Sequence, residues 1–182
     1  MPVKHYALGF VLITLFSSMA QATCQLSLSR PEVKYGAIRD KDFTGQHKRW
    51  KTLSEREVQL NAICDMPVKM AIFSQGGLKD DGFRFASDSV MLVGASNATL
   101  DGKSVMLGKT KMHGSFVLSN KASDKKLLRD NEGIMPVSGN DILEGQQFSV
   151  TLTIRPALST RDMDVTDKTT LESNLHFNVE TE

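Results

Sequence analysis

Two stretches decide the fold: Cys24-Gln-Leu-Ser-Leu-Ser29 and Val58-Gln-Leu-Asn-Ala-Ile-Cys64. In the first, Cys24, Leu26 and Leu28 alternate with Gln25, Ser27 and Ser29. In the second, Val58, Leu60, Ala62 and Cys64 share one parity. Successive side chains of an extended chain point to opposite faces, so this period of two reads as strands with one face buried and one in water. Each strand places a cysteine on its apolar face, where a bridge between neighbouring strands or facing sheets belongs. Phe148-Ser-Val-Thr-Leu-Thr-Ile154 and Leu175-His-Phe-Asn-Val179 repeat the pattern towards the end of the chain.

Shorter strands are expected between these. Residues 68–74 are apolar and stop at Gln75-Gly76-Gly77; 83–86 and 89–93 flank Ser87-Asp88; 98–100 and 103–107 flank Asp101-Gly102, a type I′ hairpin signature. Residues 112–118 alternate through Gly114, Phe116 and Leu118. Roughly nine strand segments result and no convincing helix, which predicts an all-β, antiparallel sandwich. Two segments are poorly patterned. Residues 37–51 are charged and hold the single tryptophan, Trp50; residues 121–147 read as a long polar loop, the kind that carries function or a small element of its own. No repeat, low-complexity tract or interdomain linker is found, so residues 23–182 form one domain.

The chain opens with Lys4 and His5, an apolar run over 7–16, and Ala20-Gln21-Ala22. A basic start, a short apolar stretch and an Ala-x-Ala end make a secretory signal peptide over residues 1–22. The run is too short for a membrane span, which needs roughly 20 apolar residues. A lipoprotein acylated at Cys24 is disfavoured by Thr23, where a Gly or Ala is expected. The mature chain would start at Thr23 and enter an oxidising compartment, the periplasm. There Cys24 and Cys64, the only two cysteines, are expected to form one disulfide, with two free buried thiols as the alternative. Closing that loop would stabilise the fold by about 4 kcal/mol on the chain-entropy account.

Charge and motifs exclude more than they include. Lys+Arg is 22 and Asp+Glu 21, a net +1 that lacks the basic excess of nucleic-acid binders. No Cys-x-x-Cys pair occurs, and His47, His113 and His176 are scattered, so no metal site or cofactor is expected. No Gly-x-Ser-x-Gly elbow or Ser-x-x-Lys motif appears; Asp80-Asp81 and the pair Asp162 and Asp164 read as turn acids rather than a glycosidase couple, and no catalytic residue is assigned. Asn97-Ala98-Thr99 matches a glycosylation sequon by chance. The methionines, Met66, Met70, Met91, Met106, Met112, Met135 and Met163 in the mature chain, read as core filling.

Cys24-Gln-Leu-Ser-Leu-Ser-Arg-Pro-Glu-Val-Lys-Tyr-Gly36, with Val58–Cys64 following and the tail strands at 148–158 and 175–179, resembles subunits of chaperone–usher fimbriae, in particular fimbrial subunit-like proteins of enterobacteria. The resemblance implies an immunoglobulin-like sandwich of pilin type lacking its last strand, with Cys24 and Cys64 joining the first two strands. It implies partners as well: a periplasmic chaperone that lends a strand, an outer-membrane usher, and other subunits whose extensions later take the chaperone's place. The destination would be the fimbrium or cell surface, in a structural and adhesive role without enzyme activity. Carried over by position, Leu175, Phe177 and Val179 border the acceptor groove, and Val150, Leu152 and Ile154 lie near its other side.

Two departures from the family pattern sharpen the expectation. Polymerising subunits carry an alternating donor segment before the first cysteine, and here only Thr23 follows the expected cleavage site, which suggests a terminal subunit that accepts a strand without giving one. Fimbrial subunits also end with a penultimate aromatic and an earlier glycine, whereas this chain ends Val-Glu-Thr-Glu182 and has Thr169 in the glycine region. The alternative is a self-completed secreted sandwich that binds a glycan or small ligand, with Trp50, Phe43 and the 121–147 loop as its surface.

Overall fold

The computed structural model describes residues 22–164 and 170–182. The expected leader up to Gln21, and Thr169, lie outside the described residues. The strands in chain order are β1 (Cys24–Leu28), β2 (Phe43–His47), β3 (Trp50–Leu53), β4 (Arg56–Gln75), β5 (Leu78–Lys79), β6 (Gly82–Phe85), β7 (Ser89–Leu100), β8 (Lys103–Ser104), β9 (Met106–Thr110), β10 (Lys126–Leu127), β11 (Glu132–Ser138), β12 (Asp141–Ile142) and β13 (Glu144–Ser159). A single helical turn, α1 (Thr160–Met163), precedes the final strand β14 (His176–Thr181). The architecture is an all-β antiparallel sandwich, as the alternation predicts.

β4 builds both sheets. Its first half lies between β1 and β13, with Leu26↔Ala62 on one side and Val150↔Leu60 on the other. Its second half lies between β14 and β11, with Val179↔Ile72 and Ile134↔Ile72. Sheet one therefore runs β1–β4–β13–β7, with β6, β10 and β8 each covering part of the far edge of β7. Sheet two runs β14–β4–β11–β9. The 58–64 and 68–74 strands expected separately are thus one strand. The change of sheet occurs where the ladder to β13 jumps from Ile63↔Gln147 to Val68↔Gly145, leaving Cys64-Asp65-Met66-Pro67 without ladder partners on that side. Pro67 has no N–H to give a ladder, and bends of this kind let one strand turn a corner between packed sheets.

The inner faces meet in one core. Leu60, Ala62, Met70, Ile72, Val93, Leu107, Ile134, Phe148, Val150 and Leu152 are all essentially inaccessible there. A second, smaller cluster sits on the outer face of sheet two, where Ala71, Phe73, Met135 and Val137 are covered by Phe116, Leu118 and Ala122. Residues 112–118 are therefore not the strand expected from their alternation. They form an irregular cover, broken by Gly114 at φ +69, from which Phe116 and Leu118 pack down onto the sheet. The same cover explains a missed strand. β11 is buried on both faces and includes Gly133 and Pro136, so it shows no period of two, and the stretch 121–147 looked like a loop. The type I′ turn is as expected, with Asp101 at φ +50 and Gly102 at φ +77.

Cys24 and Cys64 are cross-strand partners on β1 and β4 and are joined by a disulfide. Replacing both with alanine is expected to lower unfolding free energy by about 2–5 kcal/mol. Denaturant melts of the oxidised protein and the double variant measure this, and coincident midpoints would contradict it.

Candidate functional site

The open side of the sandwich lies along β1 and β14. Each pairs with β4 alone, so among the described residues neither has a strand on its other side. Both lie on the same side of β4 and meet end to end: Asp65 N donates to Thr23 O at one strand's start, and Glu182 N donates to Lys69 O at the other's finish. Ala22, Cys24, Gly114 and Val179–Thr181 line a shallow depression at this junction.

The inward side chains along this side are incompletely covered. Leu26 and Leu28 on β1, and Phe177 and Val179 on β14, pack on the core but stay partly exposed. Their cross-strand partners Ala62, Leu60, Ser74 and Ile72 are at most 1% exposed. Tyr35, Ile38, Ile154, Leu171 and Leu175 share that half-buried state. Tyr35 donates its hydroxyl to Ile154 O at 3.3 Å, and burial pushes that phenol up to about 12 against the opposing pull of Arg56.

The sequence-expected groove residues separate into two groups. Leu175, Phe177 and Val179 lie on the free edge or just before it. Val150 and Leu152 do not line it: they are 0% and 1% exposed in the closed core, because β4 stands between β13 and both edge strands. Ile154, nearer the end of β13, is half-buried. The other strand on this flank is β1, with Leu26 and Leu28. Their alternation was visible in the sequence and their pairing with the strand of Cys64 was implied by the resemblance, but their place on the open flank was not.

A polar clasp holds β14 from the outer face. Gly114 N donates to Glu180 Oε2 at 3.2 Å and Phe116 N to Glu182 Oε2 at 3.1 Å. His113 Nδ1 lies 2.7 Å from Glu180 Oε1, and its ring stacks on Phe73 with centroids 4.0 Å apart. The hydrogen bond to Glu180 raises the His113 pKa above its ordinary value, with burial opposing and Asn131 assisting.

Two further polar clusters are structural. Lys109 and Glu132 pair on neighbouring buried strands; burial pushes Glu132 up, but Lys109, with Lys111 at 3.5 Å, outweighs it and holds the carboxyl low. Asp88 accepts from Lys79 at 2.9 Å and from Ser159 Oγ at 2.8 Å, and these bonds hold its carboxyl at about 2. Asp162 accepts from Ser89 Oγ and Asp88 N, which ties α1 to the start of β7. Among the described residues no three His, Cys, Asp or Glu side chains gather as metal ligands, and no helix is long and apolar enough to cross a membrane.

Phe43 and Trp50 are not brought together. Phe43 pairs with Leu53 and packs against the core, with Lys51 Nζ 5.0 Å from its ring. Trp50 has the opposite parity on β3, beside His47, with the Arg49 guanidinium 4.9 Å from its ring.

No family model and no curated protein matches the sequence. Among solved structures, the chain is similar to the crystal structure of the P pilus rod subunit PapA. The match covers 87% of this chain and 99% of that one, at 10% identity and a TM-score of 0.36. At that score the likeness adds nothing to what the strand pairings show.

Because His113 is raised in the folded state, its pairing with Glu180 contributes stability fully below its ordinary value of 6.5 and loses it as pH rises through the raised value. The difference in melting temperature between the native protein and His113→Gln is expected to be widest in mild acid and to shrink in mild alkali. A difference independent of pH would contradict this.

Proposed function

We propose that this chain is a fimbrial subunit-like structural protein, exported to the periplasm, that accepts an extended strand from a chaperone or a neighbouring subunit along the side formed by β1 and β14. The observation that carries the reading is the half-buried inward row Leu26, Leu28, Phe177 and Val179 beside two strands whose outer edges have no strand partner among the described residues. An exposed strand edge is a template for another chain. A donor with alternating apolar residues would satisfy the backbone groups of the edge while its side chains complete the core, the usual mode of strand addition. Each apolar side chain so covered contributes about 1.5–3 kcal/mol, so a few suffice for a stable complex. In this reading the short stretch before Cys24 makes the chain an acceptor at the end of a fibre. The glycan alternative, as framed on a joint Trp50 and Phe43 surface, gains no support from two rings on opposite faces.

Co-expression of the full precursor with a cognate periplasmic chaperone is expected to give a 1:1 complex. Phe177→Asp and Val179→Asp should weaken it at least about tenfold, since each places a charge among apolar groups. A folded monomer that ignores chaperones and strand-length donor peptides alike would overturn the reading. Mass spectrometry of the exported protein is expected to find an N-terminus at Thr23; a longer mature extension would remove the argument for a terminal position while leaving strand acceptance intact.

A further inference from the structure

The hairpin β2–β3 carries a feature that strand acceptance does not use. From Phe43 to Leu53 it contains Lys48, Arg49 and Lys51 and no acid. Lys51 is engaged with Asp40 at 3.2 Å, whereas Lys48 and Arg49 have no ion pair among the described residues. Both are exposed at the turn, Lys48 at φ +52. The backbone of Arg49 is anchored, since its carbonyl accepts from Thr160 N at 3.0 Å, and this brings α1 next to the turn, where Arg161, with a side chain 75% exposed, pairs loosely with Asp88 at 3.8 Å. Asp162 on α1 is spent inward on Ser89.

The outward face of the hairpin is shaped as a platform. Trp50 pairs with His47, and Thr52 pairs with Gly45, so a large ring stands next to an imidazole and the neighbouring position has no side chain. A Cβ at Gly45 would sit 2.9 Å from Thr52 Oγ1, so the glycine keeps that end low. Arg49 lies against the indole.

We infer that Trp50, His47, Lys48 and Arg49 form a binding site for an acidic polysaccharide, one bearing carboxylate or sulfate groups. An indole offers two flat apolar faces, one of which can take the C–H face of a sugar ring, and the Arg49 guanidinium lying over the ring is placed to pair with an anionic substituent. Two other anionic partners fit less well. A membrane surface calls for several apolar side chains at the tip, and this hairpin offers one, the half-buried Trp50; the exposed large hydrophobics, from Ile63 to Leu127, all lie elsewhere. A nucleic acid calls for a basic excess, and the chain carries a net +1. The site lies apart from the β1–β14 edge and does not depend on strand acceptance.

Titration of the exported protein with heparin, a sulfated polysaccharide, is expected to change Trp50 emission saturably and to weaken with added salt, while neutral dextran gives no response. K48N/R49Q, which keeps a residue suited to positive φ at position 48, should bind at least about tenfold more weakly with an unchanged melting temperature. Phe177→Asp should bind heparin as the native protein does, which separates this site from the acceptor edge. No response to heparin or to a polyuronate, or equal binding by K48N/R49Q, would overturn the inference. So would a response confined to duplex DNA or to phosphatidylglycerol vesicles.

Discussion

A strand that serves two sheets constrains everything around it. β4 must satisfy backbone partners on both sides over its whole length, and it must bend between its halves without leaving them unpaired. The bend falls around Asp65-Met66-Pro67, where the ladder to β13 skips from Ile63 to Val68 and Pro67 has no N–H to lose. From there the layout follows. β13 and β11 close one flank of β4 and lead on to β7 and β9, whose inner residues are sealed. On the other flank β1 and β14 are the last strands of their sheets. The asymmetry between a closed flank and an open one is thus a property of strand order, and the half-buried apolar row is its consequence.

The open flank is held in shape from behind. Glu180 and Glu182 project from the outer face of β14 and accept from backbone N–H groups of the irregular cover, which in turn presses Phe116 onto Phe73, Met135 and Val137. A strand with one neighbour has half the ladder of a central strand, so side-chain carboxylates that gather orphan donors on its back are a way to keep it extended and in register. The Lys109–Glu132 pair lies on the opposite, inner face of the same sheet, in register with Ile134 and Ser74. A buried pair of this kind adds little net stability, but removing either partner alone strands a charge.

The all-β character, the type I′ turn and the inward parity of β1, β4, β13 and β14 were legible because each of those strands has one dry face and one wet face. Legibility failed where that condition failed. β11 is dry on both faces, so its residues carry no alternation; 112–118 alternate because they drape apolar side chains on a sheet, with Gly114 turning the chain, and not because they are extended. Of the candidate acceptor residues, Phe177 and Val179 were readable as a strand face, while the closed-core position of Val150 and Leu152 was not, because period-two patterns assign a face but not a neighbour. The Trp50 and Phe43 pair failed for a related reason. The bulge near Thr44 and the turn at Lys48-Arg49 set their parity, and neither is encoded in residue spacing.

The disulfide between Cys24 and Cys64 has a mechanical meaning as well as a thermodynamic one. β1 is a five-residue edge strand held by one ladder, and tension at its leading end would ordinarily peel it away one hydrogen bond at a time. The bond sits at the first residue of that strand, so fraying that begins at Thr23 is stopped at its first step, and β1 can leave β4 only from its Leu28 end. The end held fast is the one that meets the finish of β14, so the two edge strands keep their junction whichever end of β1 loosens.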